Sequence, residues 1–188
     1  MAYKSSADYA RAIVGDRKAG RPENDFYPTP AYITEALFER ELFCPVICEP
    51  ACGNGAISKV AEDYGYDVFS SDLVYRGYGV PESVDFLDTL YVSGDIVTNP
   101  PFSLATKFIH HAMVNLKVNK MALFLKLAGL ETVERKPLLE KYLRTVYVFS
   151  KRPKLSRDGS DIKGAGMLAF AWFIFVQYKT DESVVRWI

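Results

Sequence analysis

The sequence predicts an α/β fold: a mostly parallel sheet of seven strands with helices on both faces. Three observations carry that expectation. Short apolar, strand-like stretches alternate with helix-like ones from about residue 31 onward. Strands that alternate with helices pair in parallel, because each crossover helix must lie on a face of the sheet. A length of 188 residues, 49% of them apolar and 24% charged, supports one domain with a real core and is too short for two ordinary ones.

The elements follow in order. Residues 1–24 are polar and small, and read as a mobile arm with a short helix around Ser6–Val14. Pro30 suits the first turn of a helix over Ala31–Leu42, with Thr29 as its N-cap. Val46–Glu49 is a short apolar strand, and Gly53-Asn-Gly55 opens a helix over Ala56–Tyr64. Asp67–Ser71 is the second strand and Ser83–Phe86 a short third. Asp95–Thr98 is the fourth, closed by Asn99-Pro-Pro. Leu104, Phe108, Ala112 and Leu116 recur at helical spacing, which predicts a helix over Leu104–Leu116. Lys120–Lys126 is the fifth strand, and Val133–Tyr142 is a helix that tolerates Pro137 near its start. Thr145–Ser150 and Leu168–Tyr178 are the last two strands. No helix separates them, so they are expected to form an antiparallel hairpin across a long loop, 151–167. Residues 25–188 thus form a single domain.

Composition excludes several classes. The 23 Lys and Arg residues cancel the 23 Asp and Glu, so any grip on nucleic acid must come from a local patch. The apolar run Leu168–Val176 is nine residues, against about 20 for a membrane span. No basic-then-apolar signal opens the sequence. Three cysteines are an odd number and argue against a disulfide scaffold, so a cytoplasmic chain is expected. Their Cys-x3-Cys-x3-Cys spacing at 44, 48 and 52 fits no common zinc or cluster pattern, and no metal is expected. His110-His111 reads as surface or core packing, and Trp172 is a candidate to face a pocket.

In open parallel sheets, ligands bind at the carboxyl ends of the strands. The first strand ends in Glu49-Pro-Ala-Cys-Gly-Asn-Gly55. Two glycines allow a tight turn and close approach of a ligand to the backbone. Position 58, where a dinucleotide fingerprint places its third glycine, is Ser, which disfavours a pyrophosphate. The leading acid suits a cationic group or a hydroxyl. Asp72 near the second strand's end can accept ribose hydroxyls. After the third strand, Asp85 can accept an amine and Phe86 can pack on a flat ring. The fourth strand ends in Asn99-Pro100-Pro101-Phe102. The prolines fix a turn without N–H groups, Asn99 adds an acceptor, and Phe102 adds an aromatic face. Acceptors beside a stacking platform fit a planar group that bears an amine.

These residues resemble the class I S-adenosylmethionine-dependent methyltransferases of exocyclic amines, and among them the N6-adenine DNA methyltransferases of small phage and prophage type. Asp25-Phe-Tyr-Pro-Thr-Pro30 resembles the family's aromatic–Thr-Pro segment. The tail is similar too, in Phe124–Leu130, Lys151-Arg-Pro-Lys154 and Ala171-Trp-Phe-Ile-Phe175. The resemblance covers roughly 24–178 and implies a Rossmann-like fold with S-adenosylmethionine as cofactor. It further implies that Tyr27, Thr29 and Pro30 lie along the methionine part. Glu49, Pro50, Ala51, Gly53 and Gly55 would form the cofactor turn, Asp72 would hold the ribose, and Asp85 and Phe86 the cofactor's adenine. Asn99 would touch both cofactor and substrate, and Asn99, Pro100, Pro101 and Phe102 would receive a flipped or single-stranded base.

Lys151, Arg152, Lys154, Arg157 and Lys163 face only Asp158 and Asp161 within 151–163, a local charge of +3. This loop is a candidate to track phosphates, with DNA as the expected partner, and Lys126, Arg135 and Lys136 are candidates to extend its patch. The chain has no length to spare for a target-recognition domain, so a second copy or a separate specificity subunit is a candidate partner. Two other readings stay open: the same chemistry on RNA adenine or guanine or on protein glutamine, and a non-catalytic subunit that binds cofactor or nucleic acid.

Overall fold

The computed structural model describes residues 26–155 and 168–188. The arm 1–24, with its expected helix, lies outside the described residues. Helix α1 (Ala31–Phe38) leads to β1 (Val46–Glu49), α2 (Ala56–Asp63) and β2 (Asp67–Ser70). After a long connection comes β3 (Asp95–Thr98), then a 3-10 turn at Phe102–Leu104 and α3 (Ala105–His110), which runs into a π turn over His111–Asn115. β4 (Lys120–Lys126), α4 (Lys136–Tyr142), β5 (Leu143–Val148), β6 (Phe170–Val176) and β7 (Val184–Trp187) complete the described chain.

All seven strands join one sheet in the order β2-β1-β3-β4-β6-β5-β7. β1 pairs in parallel with β2 on one side and β3 on the other. The chain reverses its direction of travel across the sheet there, which opens a crevice at the carboxyl ends of β1 and β3. β6 is antiparallel to both neighbours, β4 and β5. It fills the gap between them, and β5 therefore runs the same way as β1–β4.

The central strands are buried on both faces, and the apolar runs explain how. In β4, Met121, Leu123 and Leu125 pack toward α3 and α4, while Ala122 and Phe124 pack toward α1 and α2. In β6, Ala171, Phe173 and Phe175 join the first layer, and Phe170, Trp172 and Ile174 the second. Side chains alternate along a strand, so a strand covered on both sides must be apolar at every position.

Several expectations are corrected. Ser83–Phe86 is no strand: Asp85 accepts from Leu87 N at 2.9 Å and caps a 3-10 turn over Phe86–Asp88. The seventh strand is instead Val184–Trp187, beyond the expected last strand and parallel to β5. Thr29 does not cap α1; Pro30 holds that position, and its carbonyl accepts from Ile33 N at 3.0 Å. α1 stops at Phe38, short of Leu42. Trp172 does not face a pocket: it is fully buried, and its Nε1 donates to the Ile33 carbonyl at 2.8 Å. His111 is a packing residue, with Nε2 at 3.0 Å from the Thr89 carbonyl and Nδ1 at 3.2 Å from Asn115 Nδ2.

An ion cluster at the opposite edge from the crevice ties α1 to the sheet. Buried Glu41 takes Lys120 Nζ at 2.9 Å, Arg144 Nη2, and the Tyr147 hydroxyl at 3.1 Å. Burial pushes its carboxyl up, but the hydrogen bonds and charges of Lys120 and Arg144 outweigh burial and hold it below the usual value. Glu41→Ala is expected to lower stability by about 2–3 kcal/mol, less than for a fully buried pair because Arg144 stays partly solvated. The Glu41 contribution is complete above the unfolded-state pKa and fades as pH falls below it. Urea titrations of both proteins at pH values either side of about 4.5 check this, since their difference should shrink in acid.

Candidate active site

The crevice between β1 and β3 holds a cavity of about 270 Å³, open to solvent. Its walls come from four segments distant in sequence: 26–29, the turn after β1, the connection after β2, and the turn after β3. Tyr27, Thr29, Glu49, Pro50 and Ala51 line it from one side. Asp72, Asp85 and Phe86 line another part, and Asn99, Pro100, Pro101 and Phe102 form a third. Pro30, Gly53 and Gly55 do not reach the cavity among its lining residues.

The two glycines act through conformation. Gly53 has φ +55° and Gly55 φ +77°. A Cβ on Gly53 would lie 2.2 Å from the Phe26 ring, and one on Gly55 would lie 2.4 Å from the Tyr78 ring. The turn therefore needs glycine both for its backbone and to admit the aromatic rings packed on it.

Glu49 sits at the head of that turn and is buried. Its Oε2 accepts from Ser58 N at 2.8 Å and from the Ser58 hydroxyl, and Ser58 Oγ lies 2.6 Å from Ser70 Oγ. The serine at the expected third-glycine position thus stitches β1, α2 and β2 together. Burial pushes the Glu49 carboxyl up to about 8; the Ser58 bonds pull it down, and the charges of Asp72 and Glu62 add to the rise.

Asp72 pins the glycine turn rather than standing open. Its Oδ2 accepts from Gly53 N at 2.8 Å, and Oδ1 accepts from Val74 N at 2.9 Å and from Arg76 Nη1 at 3.3 Å. Arg76 also lies 4.7 Å from the Phe26 ring centre. Phe86 is almost fully buried, 4.7 Å from Phe108 and edge-on to His111, so it is core as well as cavity wall.

Asn99 is held in one orientation. Its Nδ2 donates to the Tyr27 carbonyl at 3.3 Å and to Thr29 Oγ1 at 3.1 Å. A carbonyl can only accept, so the amide nitrogen must face Tyr27 and the oxygen must face away from it. No described residue donates to Asn99 Oδ1. The Pro101 carbonyl is taken by Leu104 N at 2.8 Å, whereas the Pro100 carbonyl accepts from no described residue. Asn99 and Pro100 both line the cavity, and no described residue donates to either of these two acceptors. Phe102 adjoins them, its ring 6.5 Å from Tyr27 at 23° and 5.8 Å from Phe170.

Three acidic side chains line the cavity; with Glu49 protonated near neutral pH, the carboxylates Asp72 and Asp85 stand against one guanidinium, Arg76. That balance favours a ligand carrying positive charge. Cys48 and Cys52 are buried and their thiols are pushed up to about 12, so neither offers a thiolate near neutral pH.

Lys151 and Arg152 are exposed and Lys154 is half-buried, just past the carboxyl end of β5. They leave the sheet at the same edge as the cavity but do not line it. Arg157 and Lys163 lie outside the described residues. Sequence reasoning missed Phe26 and Arg76. Only Arg76 carried a signal, four residues after Asp72. Lys126 Nζ lies 4.9 Å from the Phe102 ring centre. Arg135 and Lys136 do not extend a basic patch: Arg135 is buried on Thr106 Oγ1 and the Gly129 carbonyl, and Lys136 lies 3.5 Å from Glu140.

No protein-family model matches the chain, and no curated protein matches it. Solved structures do. One is a modification subunit of a putative type I restriction enzyme from Vibrio vulnificus YJ016, with 16% identity and a TM-score of 0.55 over 94% of this chain and 51% of that one. The chain thus spans about half the length of that subunit. The 23S rRNA methyltransferase ErmE matches at 12% identity and TM-score 0.54, over 82% and 70% of the two chains. The E. cuniculi Mtq2–Trm112 complex, described as responsible for methylation of the eRF1 termination factor, matches at 14% and 0.50, over 78% and 93%. The chain has the Rossmann-like fold found in methyltransferases, and no helix among the described residues is long and apolar enough to cross a membrane.

Proposed function

We propose that the chain is an S-adenosylmethionine-dependent methyltransferase that acts on an exocyclic amine, N6 of an adenine in DNA, presented flipped out or in a single strand. The observation that carries this reading is the fixed Asn99 amide in the cavity wall next to Pro100, with no donor of the described chain on its oxygen or on the Pro100 carbonyl.

The cavity suits such a cofactor in charge, because its carboxylates outnumber its cations and the cofactor carries a sulfonium and an ammonium. In this reading Tyr27 and Thr29 lie along the methionine part, with Pro30 behind them. Glu49, Pro50 and Ala51 hold the amino-acid end on a turn shaped by Gly53 and Gly55. Asp72 serves the ribose with the lone pairs that Gly53, Val74 and Arg76 leave open, and Asp85 and Phe86 border the cofactor's adenine. When bound, S-adenosylmethionine supplies a methyl group on a sulfur that keeps the bonding electrons as the methyl departs.

The chain's own task is to make a poor nucleophile competent. An exocyclic amine delocalises its lone pair into the ring. Asn99 Oδ1 and the Pro100 carbonyl accept its two hydrogens and favour a pyramidal nitrogen, whose lone pair then points away from them. Position and oriented dipoles do this without a covalent intermediate. The proton displaced from nitrogen goes to water, since neither acceptor is basic enough to keep it. Phe102 stacks on the base, and stacking of this kind is worth about 1–3 kcal/mol, which offsets part of the unpairing.

The acceptor pair would serve an RNA base or a glutamine amide as well, so the test uses a panel. Radiolabelled methyl transfer to DNA, RNA and protein, followed by nucleoside digestion, is expected to give N6-methyldeoxyadenosine. Label in RNA or protein alone would move the substrate class. Cofactor binding without transfer to any polymer would make the chain a non-catalytic subunit. Neutralising Lys151, Arg152 and Lys154 together is expected to flatten the salt dependence of DNA binding, measured by anisotropy. An unchanged slope would remove this segment from the interface.

A further inference from the structure

β3 and β4 are parallel neighbours; β3 ends at Thr98, opposite Leu123, and β4 runs three residues further to Lys126, alongside the turn that carries Phe102. Lys126 Nζ lies 4.9 Å from the Phe102 ring centre, within the ~6 Å reach of an ammonium–ring attraction. Among the described residues Lys126 enters no ion pair; the carboxylates that do are Glu39, Glu41, Asp72 and Glu140. Tyr27 and Phe170 hold the rest of the ring. The ammonium therefore rests on the ring that is read above as the stacking platform.

We propose that Lys126 makes base entry depend on the nucleic-acid backbone: its ammonium covers the Phe102 ring until a phosphate draws it away and a base takes its place. The proposal rests on the reading of Phe102 as the base platform. A ring face holds an ammonium weakly, and a phosphate beside the entering nucleotide holds it more strongly. The flexible four-carbon stem allows the head to move without the strand moving. A free nucleoside displaces the ammonium and returns nothing for it, whereas a polynucleotide supplies the phosphate. Lys126 thereby discriminates polymer from nucleoside at the same cavity.

The test compares Lys126→Met and Lys126→Arg with the parent chain, with thermal melts to confirm folding. Binding of a labelled single-stranded DNA oligonucleotide is followed by anisotropy between about 50 and 200 mM salt. Methyl transfer is measured on that oligonucleotide and on deoxyadenosine. Lys126→Met is expected to weaken oligonucleotide binding about fivefold at the lowest salt and to reduce the log–log salt slope by about 0.7, the value of one phosphate on a single strand. Its loss on the oligonucleotide should fall in KM more than in kcat, with no matching loss on deoxyadenosine. Lys126→Arg should restore the slope. A parental slope in Lys126→Met, or equal losses on oligonucleotide and nucleoside, overturns the role of Lys126 alone. If the parent chain methylates no polynucleotide, the functional reading falls first and this role with it.

Discussion

Asn99→Ala is expected to cut methyl transfer by about 10²–10³-fold in kcat, the usual loss when one preorganised hydrogen-bonding group is removed from a reacting centre. Cofactor affinity should stay within a few-fold, because the turn after β1 and the Asp72 contacts are untouched. The substitution also frees the Tyr27 carbonyl and Thr29 Oγ1 from their donor, so a modest loss of stability is expected and is read by thermal melting. Asn99→Asp separates the two roles. It keeps an oxygen acceptor but cannot donate to the Tyr27 carbonyl, and should therefore lose the fixed orientation. A parental turnover rate in Asn99→Ala, measured with saturating cofactor, would end the acceptor mechanism.

Glu49 supplies the second large effect, through pH. Its carboxyl ionises near 4.5 when exposed and near 8 in the fold. Below about 4.5 both states carry the proton. Between the two values only the folded chain keeps it, so stability falls as pH rises, and the loss is complete above the folded value. Glu49→Gln should remove this slope, and the difference between the two proteins in denaturant titrations from pH 5 to 9 isolates it. Cofactor affinity should run the other way. In the proposed reading Glu49 faces the cofactor's ammonium and must ionise to hold it. Affinity should then rise close to tenfold per pH unit up to about 8 and level off beyond. Calorimetry in buffers of different ionisation enthalpy should show a proton released on binding. A parental profile that is flat, or one that Glu49→Gln reproduces, would detach Glu49 from the cofactor.

Parts of the fold were legible because they are local. The β4 and β6 strands announced themselves as apolar runs, since covering both faces leaves no position for a polar side chain. β7 gave no such signal: all four of its residues are exposed, and only pairing with β5 makes it a strand. Ser83–Phe86 misled for the complementary reason. Its alternating Val84 and Phe86 suit a strand, but Asp85 closes a turn on Leu87 N. Ser58 looked like a missing glycine, and its pairing with Glu49 and Ser70 is visible only once β1, α2 and β2 pack together.

The amino-acid order alone determined the alternation of strands and helices, the rigid Asn99-Pro-Pro turn and the glycine turn after β1. Each depends on torsional limits and side-chain periods within a few neighbouring residues. Tertiary structure decided which way the Asn99 amide is turned, since its orienting carbonyl lies 72 residues away. It also decided that Asp72 braces a turn, that Trp172 is walled into the core, and that Lys126 lies on Phe102. Contacts between distant segments are properties of pairs of elements, and neither member carries them in its own local sequence.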